Sequence, residues 1–346
     1  MAVAPTISPI QQPSQQPSRQ AGATLPREGS VLPGRSVAAT GSTKRHRLAP
    51  RDARRIELRS ESDIEGLARA GRLAAAVLAE ARAACVAGAS TGSIEGRIRA
   101  AILAGGGEPL FLGYRGSAAA RPAFPASACI SVNEELVHGV PGSRVVRDGD
   151  LVSIDVGVRL DGWCADSAIT VGVGDVDADR RALVACAEEM LDRAISLARP
   201  GVRWSSVARE IERIADLAGF AIAVDFVGHG IGRELHEPPQ VPCSVDRNFL
   251  ERGDFTLRPG MVLAIEPMVV LARPQRAASG ERAGELIAPA CTLADDGWTV
   301  VVDSGAASCH VEHTVVVTRD GARILTAERH ELDSRARDEG GLRRAG

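Results

Sequence analysis

Lysine is almost missing from this chain: Lys44 stands alone against forty arginines. With abundant alanine, that bias reads as the imprint of a GC-rich coding sequence. A net charge of −3 argues neither for nor against any class of partner. The seven cysteines form no CxxC pair, which excludes zinc-finger and thioredoxin-like motifs, and an odd, scattered set fits a reducing cytoplasm. No apolar run approaches 18 residues and no basic segment leads into an apolar core at the N-terminus, so neither a membrane span nor a secretion signal is expected. GxxxxGK[ST] is absent, and "HEPPQ" (His236 to Gln240) is not HExxH, which sets aside the P-loop and the helical zinc-protease arrangement.

The 346 residues that remain to be organised suffice for one large domain or two small ones. Residues 1–55, rich in Pro, Gln, Ser and Gly, read as a disordered tail that ends in the basic "TKRHRLAPRDARR". That basic end reads as a solvated linker, with contact to RNA or an acidic partner as the alternative. Residues 329–346 read as a polar C-terminal tail, leaving 56–328 as the folded domain.

Order begins with a capping-box pattern at Ser62 and Glu65, after which Ile64, Leu67, Gly71, Ala74, Leu78, Ala81 and Cys85 fall on one helical stripe. A second helix is expected from about Ser93 to Leu103, and strands at 129–132 and 152–173. Two more helices follow, at 178–199 and 205–218. In the strand region, Asp161-Gly162 is a hairpin signal, with Asp155 and Asp166 on either side of it. A turn that puts both aspartates on one face sets them opposite each other or one diagonal step apart; a turn shifted by one residue puts them on opposite faces, and the spacing allows both.

The pattern then repeats. "RDGDLVSID" ending at Asp155 parallels "RPGMVLAIE" ending at Glu266, and "DSAITV" from Asp166 parallels "EHTVVV" from Glu312. "DGW" and "HG" each recur in the same order. This is an internal duplication of an αα-then-ββ unit, each half contributing two acids in strands. Four carboxylates converging at the seam need divalent cations, and two ions fit that charge. His229, between glycines in "GHGIG", adds a nitrogen donor and moves the preference towards transition metals. Few cationic side chains flank the acids, which favours amide over phosphoester hydrolysis.

"CISVNEELVHGVPG", "GHGIGRELHEPPQVP", "LRPGMVLAIEPMV", "DDGWTVVVDS" and "VEHTVVVT" resemble the type I methionine aminopeptidases of the pita-bread fold, over about residues 56–326. The resemblance implies an α+β architecture of two pseudo-symmetric αβ halves, with an antiparallel sheet and helices on its outer face. It implies two divalent ions (cobalt, manganese, iron or zinc) held by Asp155, Asp166, His229, Glu266 and Glu312, with Glu266 also the general base to a metal-bridging hydroxide. His138 and His236 match catalytic histidines that bind substrate, and Tyr114, Cys129 and Trp298 match the methionine pocket. The implied activity is removal of the N-terminal methionine of nascent proteins with a small second residue. A cytoplasmic monomer, with the basic tail available to the ribosome, is the expected setting.

Several positions depart from that family: Phe111 where a small residue is common, Gly157 for a threonine, Leu235 for an aromatic, and Ser117 for an aromatic that Phe124 of the insertion "AAARPAF" would replace. A second insertion spans 271–291. These departures mark a divergent member. The alternatives are another pita-bread peptidase, of aminopeptidase P or prolidase type, and a non-catalytic binding protein.

Overall fold

The computed structural model describes residues 55–116, 121–280 and 283–327. Both tails, apart from Arg55, and the Ser117 position lie outside the described residues. Four helices carry the outer face: α1 (Glu61–Ala84), α2 (Thr91–Ala104), α3 (Ala178–Leu197) and α4 (Trp204–Ala218). The capping box of α1 forms two residues earlier than expected. Ser60 is the N-cap and Asp63 closes the box, because the shorter aspartate still reaches the Ser60 N–H, at 3.0 Å. The second helix starts at Thr91, with Ser90 as its N-cap, slightly before the expected Ser93. The predicted α1 stripe is buried apart from half-exposed Ile64, and Gly71 packs so closely that an added Cβ would lie 2.2 Å from the Leu325 carbonyl oxygen.

The sheet strands are β1 (Glu108–Pro109), β2 (Cys129–Val132), β3 (Leu151–Leu160), β4 (Trp163–Gly172), β5 (Gly228–Gly230), β6 (Glu237–Val241), β7 (Val262–Ile265), β8 (Met268–Val270), β9 (Ser308–His310), β10 (Glu312–Val317) and β11 (Ala322–Ile324). Nine of them make one antiparallel sheet in the order β1-β3-β4-β10-β7-β5-β6, with β2 beside β3 and β11 beside β10. β8 and β9 pair with each other separately.

Two apolar cores reproduce the sequence duplication. Leu67, Ile94 and Ile98 pack with Ile154, Val156 and Val158 of β3 in the first half. Leu183, Met190, Trp204 and Ile211 pack with Leu263, Ile265 and Val315 in the second. The halves join where β4 pairs with β10, Ala168 opposite Glu312 and Ser167 opposite His313. Since successive strand residues point to opposite faces, the alternation that sends Ile154 and Val156 to the helices sends Ser153, Asp155 and Gly157 to the other side. No helix among the described residues is long and apolar enough to cross a membrane.

Candidate metal centre

The Asp161-Gly162 turn closes a two-residue hairpin with both residues at positive φ, 52° and 74°. That register sets Gly157 opposite Asp166 and Asp155 opposite Ala168, so the two aspartates share a face one diagonal step apart. The alternative left open by spacing alone, opposite faces, is thereby removed. Two rows now cross the sheet. One runs Cys129, Asp155, Ala168, Glu312. In the other, Gly157 faces Asp166 and His229 faces Ala264, which faces Thr314. The Thr314 hydroxyl ties these pairs together, donating to the Asp166 carbonyl at 2.8 Å and accepting from its N–H at 3.0 Å. Glu266 follows Ile265, whose partner is His313, and so lies beside Glu312.

The five expected residues therefore meet. His229 Nε2 is 3.9 Å from Asp166 Oδ2 and 3.5 Å from Glu266 Oε1. Its Nδ1 lies 2.9 Å from the Gly230 carbonyl oxygen, which as acceptor leaves Nε2 with the lone pair. Asp166, Glu312 and His229 are buried, and Asp155 and Glu266 nearly so. Burial, then mutual repulsion, pushes the carboxyls of Asp155 and Glu312 well above the usual range. Burial and the Asp166 charge do the same to Glu266, and burial raises Asp166 to about 7. Asp155 Oδ1, Asp166 Oδ1 and Glu312 Oε1 are buried without a hydrogen-bond partner. Buried carboxylate oxygens left unpaired beside like charges are costly unless a cation takes them, and this mixed oxygen and nitrogen set fits a divalent transition metal.

One residue at the centre escaped the sequence reading. His310, buried, points Nε2 to within 3.7 Å of Glu266 Oε2 and 3.9 Å of Glu312 Oε2. Burial holds its imidazole neutral, with a pKa down at about 3. Its spacing of two from Glu312 in "CHVEH" was the available signal, since such residues share a strand face.

The flanking residues form a wall beside the acids. Tyr114 Oη lies 3.0 Å from Nδ1 of His236, an exposed residue whose ring centre is 4.3 Å from that of His229. Trp298, buried, sits 6.2 Å from both the Tyr114 and His138 rings and 5.3 Å edge-on from Phe124. The first insertion thus brings Phe124 into the wall and also fixes Trp298. The Pro122 carbonyl accepts from Trp298 Nε1 at 3.0 Å and the Arg121 guanidinium stacks 4.2 Å from the indole. Leu235 is buried in the same core. The Phe111 and Gly157 departures prove to be one: a Cβ at Gly157 would lie 2.6 Å from Phe111 Cε1, so the Phe111 ring occupies the space a side chain there would fill. The second insertion docks elsewhere, Arg276 bonding Glu212 of α4 at 3.0 Å and pairing with Asp216.

Comparisons with known proteins agree with this geometry. Residues 65–319 match metallopeptidase family M24. Methionine aminopeptidase 1 of Bacillus subtilis is 40% identical over 257 residues, covering 74% of this chain and 93% of that protein. The crystal structure of methionine aminopeptidase from Thermotoga maritima superposes with a TM-score of 0.69 at 36% identity, over 79% of this chain and all of that one. Prolidase from Pyrococcus furiosus, at 21% identity and TM-score 0.57 over 79% of this chain and 66% of its own, shares the fold. The chain belongs to metallopeptidase family M24, within its methionine aminopeptidases.

Proposed function

We propose that the chain removes the amino-terminal methionine from nascent polypeptides with a small second residue, using two divalent ions held by Asp155, Asp166, His229, Glu266 and Glu312. The observation that carries the proposal is the meeting of four carboxylates and an imidazole on one sheet face, next to a cluster of Tyr114, Phe124 and Trp298 that reaches His229 through His236. Divalent ions bound there supply Lewis acidity and lower the pKa of water towards neutrality.

The protein's own groups do the rest. Glu266, whose carboxyl has a raised proton affinity, accepts the proton of the attacking water and returns it to the leaving amine. Burial keeps the Tyr114 hydroxyl protonated, so it donates to His236 Nδ1 and leaves the neutral ring's N–H at Nε2. That N–H and the His138 imidazole then donate to the substrate carbonyl as negative charge develops on its oxygen. Tyr114, Cys129 and Trp298, with Phe111 and Phe124, enclose the methionine side chain, and steric exclusion selects a small following residue.

All seven cysteines are free, which suits a reducing cytoplasm. In this setting the protein acts as a monomer, and its basic N-terminal tail contacts the ribosome. The oxygen and nitrogen donors accept cobalt, manganese, iron or zinc.

The test is peptide hydrolysis after chelation and re-addition of single metals. Methionine should be released from Met-Ala-Ser, with Met-Leu-Ser and Ala-Pro-Ala left intact. Cleavage of Ala-Pro-Ala alone would move the chain to the prolidase-like readings. A folded protein inert with every metal would leave the binding-protein reading.

A further inference from the structure

His310 has three features that a buried core histidine does not need together. Its Nε2 has no hydrogen-bond partner and negligible exposure. It faces one oxygen each of Glu266 and Glu312, at 3.7 and 3.9 Å. A histidine placed merely to hydrogen-bond a carboxylate closes to about 2.7–3.2 Å on one of them. Standing off equally from two is the placement of groups that share an ion. The His229 ring has the same relation to its neighbours, 3.5 Å from Glu266 and 3.9 Å from Asp166. Glu266 thus offers Oε1 to one imidazole and Oε2 to the other.

The backbone behind His310 is held for the purpose. Ser153 and Thr170 are cross-strand partners on the same sheet face as Asp155 and Asp166, with their hydroxyls 2.9 Å apart. The His310 N–H donates to both, at 3.3 and 3.2 Å, and its carbonyl accepts from the Thr170 hydroxyl at 2.8 Å. A polar row next to the acids therefore fixes where the imidazole starts, as outer groups orient a metal ligand. Glu266, His310 and Glu312 offer donor atoms within 4.8 Å of one another, as do Asp166, His229 and Glu312.

We propose that His310 is a sixth protein donor of the metal centre, binding through Nε2 the ion held by Glu266 and Glu312, so that the site carries two imidazoles rather than one. This rests on the metal-centre reading above. A second nitrogen donor raises the site's preference for cobalt or zinc over manganese.

The test is proton NMR of the full chain loaded with cobalt(II), in water, with apparent cobalt and manganese Kd values measured alongside. Two sets of hyperfine-shifted imidazole signals are expected in the unaltered protein, one of which disappears in His310→Gln. That variant should bind cobalt at least ~10-fold more weakly, as loss of a ligand or its support does, and lose less affinity for manganese. A merely structural His310 would give one set of signals, unchanged by the substitution, and that outcome overturns the proposal. Should His310→Gln fail to fold, the signal count in the unaltered chain decides alone. A folded chain that takes up no cobalt would instead sink the metal-centre reading beneath it.

Discussion

The pairing of Phe111 with Gly157 can be measured as a coupling energy. Phe111 is 8% exposed and meets Phe124 edge-on at 6.4 Å, so Phe111→Ala removes a nearly buried ring and should cost ~3 kcal/mol. Gly157→Val places Cβ 2.6 Å from Phe111 Cε1 and 3.2 Å from Leu110 Cβ. That overpacking costs roughly 1–3 kcal/mol, and the better strand propensity of valine returns at most ~1 kcal/mol. In the double variant, valine enters the volume the ring has left, so the clash goes and part of the cavity closes. The cost of the double variant should then fall short of the sum of the two single costs by ~2 kcal/mol, within the range for contacting residues. Urea midpoints of the four proteins in chelator, with unchanged m-values, give the number. Additivity to within ~0.5 kcal/mol would refute the idea that one ring replaces the missing side chain.

His236→Ala should lower kcat by about 10²-fold or more with metal affinity intact, as loss of an oxyanion donor does; Tyr114→Phe should lower it less, and a normal kcat in His236→Ala removes that residue from the mechanism. Gly71→Ala gains roughly 1 kcal/mol of helix propensity, yet its Cβ would meet the Leu325 carbonyl at 2.2 Å, so thermal unfolding should show net destabilisation. Stability of the metal-free chain should fall between pH 6.5 and 8. Over that range Asp166, raised to about 7, gives up a proton that the unfolded chain has already lost, and burial raises the proton affinity of Asp155, Glu266 and Glu312 in the same direction. His310, held neutral, acts in the opposite sense only below its ordinary 6.5. Cobalt should abolish the decline, and a metal-free protein that is more stable at pH 8 contradicts the reading.

The sequence carried most of the architecture because the signals were local or repeated. Asp161-Gly162 marked the hairpin, and only the register of the folded strands places Asp155 and Asp166 on one face. The echo between the halves then supplied Glu266 and Glu312 at the seam. Less legible were relations that depend on packing between distant segments. Phe111 and Gly157 are two separate departures in the sequence, and only the fold sets the ring against the glycine. Phe124 and Trp298 lie far apart in sequence and meet only because Pro122 and Arg121 grip the indole. His310 lies outside the repeat, since "EHTVVV" echoes "DSAITV" only from Glu312 onward, and it meets Glu266 only in the folded sheet. The cap at Ser60 was missed because aspartate does the work expected of glutamate.

That these strand acids hold divalent metal is checked first by calorimetric titration of the chelated chain with cobalt at pH 6.5. Run in two buffers of different ionisation enthalpy, the titration reads ions bound and protons released together. Tight uptake of two ions with net proton release is expected, because Asp166, with a pKa of about 7, still holds its proton at that pH. Tight uptake should be lost in Asp166→Ala and in Glu312→Ala. A folded chain without tight uptake, or uptake undiminished in both variants, would contradict the metal-centre reading.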